Sequence, residues 1–174
     1  ILEMPELCKD GEGAFKARDG DRGSQVSEWC DGNGFVSLGY PYNGPRCTTN
    51  NVRPSNTPAD LAGLKIRVMS SPVFIRMYEV LGANPTPMSF SEVFTGLQQN
   101  VIDGQESPLS TIDSSSFAEV QKYLSLTGPF WTNECLLLNE QPWESLPEEW
   151  QTLLQEEVAA CGTPIRTKHH HATD

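Results

Sequence analysis

The chain has 174 residues, enough for one domain or for parts of two, and its formal net charge is −11. So acidic a chain argues against general nucleic-acid binding and against an anionic membrane surface. It leaves room for a small anionic ligand, because screening over roughly 10 Å lets one or two local arginines outweigh distant acids. No stretch is long and apolar enough to cross a bilayer, so we expect no direct membrane insertion.

The five cysteines are too widely spaced to form the paired motif of a zinc ribbon or a thioredoxin site. Their odd number leaves at least one thiol unpaired in a monomer. An oxidising compartment allows a disulfide, but the spacing does not give its connectivity. Cys135 lies in an apolar run and is expected to be a buried hydrophobe. The sequence predicts no cofactor and no metal site.

The amino-terminal part gives few structural signals. Residues 1–25 are polar and glycine-rich, without sustained periodicity, and are expected to be poorly structured. Apolar and aromatic residues around the turn signal Asp31–Gly34 predict a strand or hairpin near 26–40. A loop containing Arg46 follows. The first residues lack the basic and apolar regions of a signal peptide, and the chain is expected to start inside a longer protein.

Strands and helices alternate in the middle of the chain. Capping patterns at Thr57 and Ser89 open short helices. The other elements, in order, are a strand at 63–71, a helix at 73–81, an extended segment at 85–88, a strand at Val101–Ile102, a turn at Asp103–Gly104, a helix from Pro108 and strands at 123–127 and 135–138. This order predicts an α/β layer arrangement with partly parallel strands.

One strand places an arginine where a ligand is expected. Ile66 and Val68 alternate with Arg67, so a core-facing aliphatic set sends Arg67 to the other face, near the strand end. A planar, permanently charged guanidinium there can grip a carboxylate through two parallel hydrogen bonds. At the same sheet edge we expect Ser70 and the segment Gln105–Ser107, because ligands of open α/β sheets bind at strand carboxyl ends.

The carboxyl-terminal part predicts one amphipathic helix. It begins at Ser145 and ends at Gly162 and Pro164, and its buried stripe is expected to contain Trp150, Leu153, Leu154 and Val158. The remaining residues form a polar tail.

Several of these segments, in register, resemble the extracytoplasmic solute receptors of tripartite ATP-independent periplasmic (TRAP) transporters. The resemblance covers about residues 33–160. It is carried by Thr57–Leu61 with Gly63–Val68, Leu81–Met88, Phe90–Phe94, Val101–Glu106 and Glu119–Leu124.

The resemblance implies a two-lobed α/β fold that closes like a clam shell on a small organic acid or sugar acid, sialic acid included. It implies Arg67 as the main carboxylate-binding residue, Arg46 as a second arginine, and Phe90 as the aromatic packed on the ligand. Ser70 and Ser107 fall at polar ligand positions, and Gln105 offers another contact. It also implies a periplasmic location and TRAP membrane subunits as partners.

The chain departs from the family pattern at both ends, so it is expected to be a fragment, mainly the second lobe. Residues 1–25 do not resemble the family, and the likeness ends near Ala160. The expected divisions are a poorly structured segment at 1–25, a first-lobe remnant with a crossover loop at 26–56, a second-lobe ligand-binding domain at 57–128, a crossover strand and helix at 129–162, and a polar tail at 163–174.

Two alternatives stay open beside the receptor. One is an enzyme acting on a carboxylate, with Asp103 or Glu106 as general base, although no nucleophile, phosphate-loop or zinc motif is present. The other is a truncated product without a function of its own. Core packing is the competing explanation for the aromatic residues Phe74, Phe90, Phe94 and Trp150.

Overall fold

A computed structural model describes residues 11–128 and 131–170. They divide into two compact units, one made of residues 11–44 with 131–170 and the other of residues 45–128. The helices and strands, in chain order, are α1 (Gly11–Asp19), α2 (Asp21–Asp31), β1 (Phe35–Gly39), β2 (Tyr42–Asn50), β3 (Lys65–Val68), α3 (Pro72–Val80), β4 (Asn84–Pro87), α4 (Val93–Gln98), β5 (Gly104–Pro108), α5 (Leu109–Ser114), β6 (Tyr123–Ser125), β7 (Trp131–Asn133), β8 (Leu136–Asn139), α6 (Glu140–Glu144) and α7 (Glu148–His170).

The second unit is built on a sheet with strand order β4-β3-β5-β2-β6. Strands β3, β4 and β5 run parallel, and β2 runs antiparallel to β5 and β6. Pro85 and Pro87 lie in the edge strand β4, where their missing N–H groups cost least. The predicted α/β class is therefore confirmed, with the carboxyl ends of β3, β4 and β5 at one edge.

A glycine allows β2 and β5 to approach closely. A Cβ atom added to Gly104 would lie 2.1 Å from the carbonyl oxygen of Thr49 and 2.9 Å from Cβ of Asn50. Any side chain at this position would separate the two strands, whose pairing aligns Arg46 with Pro108 and Asn50 with Gly104. Gly104 thus sets the pairing on which the neighbouring polar residues depend.

Two apolar clusters cover opposite faces of this sheet. The first cluster contains Leu61, Leu64, Ile66, Val68, Phe74, Tyr78 and Ala83. The second contains Cys47, Val93, Leu97, Ile102, Ile112 and Phe117. The alternation of β3 places Ile66 and Val68 in the first cluster, so Arg67 points to the face of the second. Core packing is confirmed for Phe74, and Phe94 packs against the second cluster.

The first unit contains a two-stranded sheet in which β1 pairs antiparallel with β8, Val36 facing Leu138. Helix α2 packs on β1, α1 packs on α2, and α7 also packs on β1. Of the strand or hairpin expected near 26–40, the strand is confirmed at Phe35–Gly39, but there is no hairpin, because β1 finds its partner about 100 residues later and helix α2 occupies residues as far as Asp31.

The amino-terminal expectation is also wrong for residues 11–25, which form α1 and the start of α2. These helices are too polar to show a clear apolar periodicity. Their stability comes from the packing of α1 on α2 and of α2 on β1. Residues 1–10 of the expected segment lie outside the described residues, as do residues 129–130 of the crossover segment and 171–174 of the tail.

Two further expectations fail. The strand expected at Val101–Ile102 lies instead at Gly104–Pro108. Its polar residues are buried and hydrogen-bonded in the sheet, so no apolar run marks this strand in the sequence. Helix α7 continues past Gly162 and Pro164 to His170.

The buried stripe expected on α7 is largely exposed among the described residues. Trp150 is 53% exposed, Leu153 45% and Leu154 36%. Only Val158 is partly buried, within reach of Gly39. Core packing of Trp150 is therefore a wrong expectation, because amphipathic periodicity identifies an apolar face without identifying what covers it.

Candidate functional site

Arg67 is held near the carboxyl end of β3, 4% exposed. Its strand neighbours are Gln105 on one side and Thr86 on the other, in register. Nε and Nη2 of Arg67 donate to one acceptor, the carbonyl oxygen of Met88, over 3.0 and 2.9 Å. The guanidinium is thereby fixed in orientation by the segment that follows β4.

Burial lowers the pKa of Arg67, and the charge of Arg46 lowers it further, whereas the carboxylate of Glu106 raises it. Within residues 11–128 and 131–170, Arg67 forms no salt bridge. Nη1 likewise makes no hydrogen bond to a described residue. A buried cation without a carboxylate of its own is a strong binding group for an anion.

Phe90 lies beside this guanidinium. The guanidinium carbon of Arg67 is 5.8 Å from the centre of the Phe90 ring, within cation–π range. The ring centres of Phe90 and Phe117 are 5.9 Å apart at a tilted angle of 56°. Phe90 is nevertheless 48% exposed, so part of its apolar surface is open to a ligand. The structure thus brings together two of the predicted ligand-binding residues, Arg67 and Phe90.

Arg46 has a different environment. It lies in β2 rather than in the expected loop, and its side chain is on the other face of the sheet, with the guanidinium carbon 5.5 Å from the ring centre of Phe74. Nε pairs with Oε2 of Glu106, and Nη2 donates to Oε1 over 3.1 Å and to the Glu106 carbonyl over 3.0 Å. Arg46 is 6% exposed and Glu106 1% exposed.

The remaining predicted residues divide by burial. Gln105 is fully buried and donates from Nε2 to Oγ1 of Thr49 over 3.0 Å, while its Oε1 has no partner among the described residues. Ser107 is 1% exposed and donates to the carbonyl of Glu106 over 2.7 Å. Ser70 is exposed, just after β3. Each position stays a predicted ligand contact.

Among the described residues of the second unit, the buried charged side chains are Arg46, Glu106 and Arg67, two positive and one negative. Glu106 neutralises Arg46, and Arg67 lies close enough to both for them to shift its pKa. Taking an unpaired charge out of water is costly, and an anionic ligand at Arg67 offsets that cost. The arrangement is therefore suited to hold a small anion at the guanidinium of Arg67.

The two carboxylates proposed for an enzyme have structural roles. Glu106 is engaged by Arg46 through both carboxylate oxygens. Oδ2 of Asp103 accepts a hydrogen bond from the backbone N–H of Lys65 over 2.8 Å. These contacts tie Asp103 to the start of β3 and Glu106 to β2, which favours a binding site over acid–base chemistry.

A separate cavity of about 480 Å³ opens on the face of Tyr78. Its polar lining includes hydroxyl groups of Thr48, Ser55 and Tyr78, and its apolar lining includes Leu124 and Leu126. None of the predicted ligand-binding residues lines it. The candidate site at Arg67 and Phe90 is therefore distinct from this cavity.

Sequence reasoning missed Met88 as the anchor of Arg67 and Glu106 as the partner of Arg46. The Met88 contact is made by a backbone carbonyl, so no side-chain signal identifies it. Glu106 gave no signal of burial, because the sequence placed it after a turn and only the structure puts it inside strand β5. Choosing that partner required the pairing of β2 with β5.

The chain is similar to bacterial solute receptors. It is 41% identical over 162 residues to the 2,3-diketo-L-gulonate-binding periplasmic protein of Escherichia coli, covering 93% of this chain and 49% of that protein. It is 37% identical over 160 residues to the sialic acid-binding periplasmic protein of Vibrio cholerae, covering 91% and 50%. The chain thus spans about half the length of these curated relatives.

The fold matches solved structures of the same kind. A TRAP periplasmic solute-binding protein from a Polaromonas species, bound to D-erythronate, superposes with a TM-score of 0.88 at 37% identity. The match covers 97% of this chain and 56% of that one. The resemblance to TRAP receptors is confirmed, as is the partial coverage of their clam-shell fold.

The family match is longer than the resemblance seen in the sequence. The model of the family described as "Bacterial extracellular solute-binding protein, family 7" matches residues 1–173. The expectations that residues 1–25 lie outside the family and that the likeness ends near Ala160 are therefore wrong. The polar helices α1 and α2 lack the short motifs that carried the resemblance elsewhere. The chain belongs to the bacterial extracellular solute-binding proteins of family 7.

Proposed function

We propose that this chain provides the arginine-bearing part of a receptor that binds a small organic carboxylate or sugar acid for a TRAP-type transporter. The observation that carries the proposal is the buried guanidinium of Arg67, which has no salt bridge within the described residues. A ligand carboxylate supplies the missing negative charge. Phe90 covers the apolar side of the ligand, next to the guanidinium.

The class of ligand is supported by what the relatives bind. The names of the matched proteins mention 2,3-diketo-L-gulonate, sialic acid and D-erythronate, and other solved relatives hold galacturonate and galactonate. These compounds differ in length and in hydroxyl pattern but share a carboxylate. A single arginine that binds the shared group, with variable polar contacts around it, accounts for a family with many ligands.

The polar contacts follow from the same geometry. Oε1 of Gln105 is a buried acceptor without a described partner, so it suits a ligand hydroxyl. Ser70 and Ser107 add short hydroxyl side chains, and a water molecule can bridge them to the ligand. Arg46 supports the site by holding β2 against β5, since Glu106 already pairs with its guanidinium.

A periplasmic location and docking to TRAP membrane subunits complete the proposal. Both follow from the family, whose curated members include periplasmic binding proteins. In the described part of the chain, no helix combines the length and the apolar character needed to cross a bilayer.

Calorimetric titration of the 174-residue chain with D-erythronate, galacturonate, galactonate and sialic acid tests the proposal. We expect at least one carboxylate to bind, and Arg67→Ala to weaken that binding at least tenfold, since a charge-assisted hydrogen bond contributes roughly 1.5–3 kcal/mol. The uncharged amide of the same ligand should bind with a similar loss.

Arg76→Ala is the matched control, because Arg76 is an exposed arginine of α3 and its removal changes the net charge equally. Its affinity should equal that of the unmodified chain. If both variants lost affinity equally, the ligand would respond to the net charge of the chain and not to a specific contact with Arg67. Failure of the unmodified chain to bind any of the four acids would overturn the proposal for this chain.

A further inference from the structure

The first unit holds two cysteines near a group of hydroxyls that belong to Ser27, Ser37 and Tyr40. The Tyr40 hydroxyl donates to the carbonyl of Gly23 over 2.8 Å and lies 3.2 Å from Oγ of Ser27. Gly23, Ser27 and Cys30 follow one another at four and three residues along α2, so they share a face of the helix. Cys30 is 4% exposed on that face. The helix therefore presents the Cys30 thiol toward the region of Tyr40.

Cys135 reaches the same region from the residue before β8. Its sulfur lies 3.4 Å from Oγ of Ser37, and Oγ of Ser37 lies 3.1 Å from Oγ of Ser27. Cys135 is only partly buried, so the expectation that it is a buried hydrophobe describes it incompletely. The two cysteines thus approach the same group of hydroxyls, Cys30 from helix α2 and Cys135 from the residue before β8.

We propose that Cys30 and Cys135 form a disulfide that joins helix α2 to the start of strand β8. The pair lies within one compact unit, and both cysteines are free thiols in the structure. Serine hydroxyls span the space between them, since Oγ of Ser37 lies 3.4 Å from the Cys135 sulfur and 3.1 Å from Oγ of Ser27, which precedes Cys30 by three residues in α2. The bond connects residues about 100 positions apart, and so it restricts the unfolded chain strongly.

The chemistry is thiol–disulfide exchange with a small or protein disulfide as oxidant. The thiolate of one cysteine attacks a sulfur of glutathione disulfide, which releases one glutathione thiolate and leaves a mixed disulfide. The second protein thiolate attacks the protein sulfur of that bond and releases the other glutathione. Two protein thiols are oxidised, one glutathione disulfide is reduced, and the two thiol protons pass to the two glutathione thiolates.

The other described cysteine is a poor competitor. Cys47 belongs to the second unit, is 2% exposed and packs with Val93 and Leu97 in the second apolar cluster. No other described free cysteine belongs to the second unit, so Cys47 has no described partner there. Cys47 is therefore a control position for oxidation of the pair.

The test treats the reduced 174-residue chain with glutathione disulfide under native conditions. We expect the intact mass to fall by two hydrogen atoms, and peptide mapping without reductant to give a linked Cys30–Cys135 peptide. Cys30→Ser and Cys135→Ser should each abolish this peptide, whereas Cys47→Ser should retain it. The oxidised chain should unfold at a temperature several degrees higher than the reduced chain.

Oxidation in concentrated denaturant is the control for a variant that fails to fold, because it shows which disulfides form without the native structure. There the five cysteines should pair in a mixture, so enrichment of the Cys30–Cys135 peptide under native conditions reports the folded geometry. A native product linked mainly through Cys8 or Cys161, or a chain that gains only glutathione adducts, would overturn the proposal. Ligand binding at Arg67 plays no part in this experiment, so its outcome is independent of the proposed receptor function.

Discussion

The two faces of the sheet in the second unit each bury one arginine, and the two arginines are stabilised in different ways. Arg46 forms a salt bridge with Glu106 and packs near Phe74. Arg67 is oriented by the carbonyl of Met88 and by Phe90, without a carboxylate partner among the described residues. The first arrangement is an ion pair within the fold, whereas we propose that an anionic ligand completes the second.

The comparison distinguishes Arg46, whose charge is paired within the fold, from Arg67, whose charge is proposed to bind a ligand. A buried ion pair resists change, because removing one partner leaves the other in a region that cannot solvate it. A buried charge without a partner is desolvated in the folded state from the outset, and the rest of the fold must be stable enough to offset that desolvation. The comparison predicts that substitutions on the Arg46 face affect folding and those on the Arg67 face affect affinity.

The largest effect is expected from Glu106→Gln. The substitution keeps the shape of the side chain but removes the carboxylate charge next to Arg46, so the free energy of unfolding should fall by roughly 3–5 kcal/mol. Urea unfolding measures it. The control is Glu79→Gln, which breaks the exposed pair Arg76–Glu79 and should cost less than about 1 kcal/mol. Similar losses in both variants would contradict a structural role for the buried pair.

A smaller effect is expected from Phe90→Ala in the absence of ligand. It removes the ring from Arg67 and from Phe117, and the stability should fall by about 1–2 kcal/mol. Phe90→Tyr keeps both ring contacts and should unfold at nearly the same urea concentration as the unmodified chain. If tyrosine were as destabilising as alanine, the ring contacts would not be the source of the stability.

The second apolar cluster should lose stability at alkaline pH through Cys47. Its pKa is raised from the ordinary 9.0 to about 11, so the unfolded chain releases this proton first as the pH rises. The contribution is complete below pH 9.0 and is lost as the pH approaches about 11. Thermal midpoints measured over this range should fall less steeply for Cys47→Ala. Identical slopes would show that Cys47 does not titrate differently in the folded chain.

The smallest effect on folding is expected from Arg67→Met without ligand. Methionine fills the same space without a buried charge, so the stability should change by less than about 1 kcal/mol or rise slightly. Arg46→Met, the matched variant on the other face, should lose roughly 3–5 kcal/mol because Glu106 remains buried. Comparable losses in the two variants would remove the distinction between the faces.

Local patterns were sufficient for much of the second unit. Alternation along β3 predicted a core-facing Ile66 and Val68 with Arg67 on the opposite face, and the capping pattern at Thr57 corresponds to an observed box with Asp60. Such features depend on residues within a few positions of one another. The same reasoning failed at β5, whose Gln105, Glu106 and Ser107 are buried polar residues that no hydrophobic pattern reveals.

By itself, the sequence determined the α/β class, the family resemblance in the middle of the chain and the strand end that carries Arg67. Tertiary structure alone decided which charges are neutralised, because the pairing of β2 with β5 brings Glu106 to Arg46 across 60 positions. It also decided that α7 leaves Trp150 exposed and that the Cys135 sulfur lies 3.4 Å from Oγ of Ser37, 98 positions earlier in the chain. Periodicity fixes which side of an element is apolar or polar, whereas only the packed chain fixes which distant group meets that side.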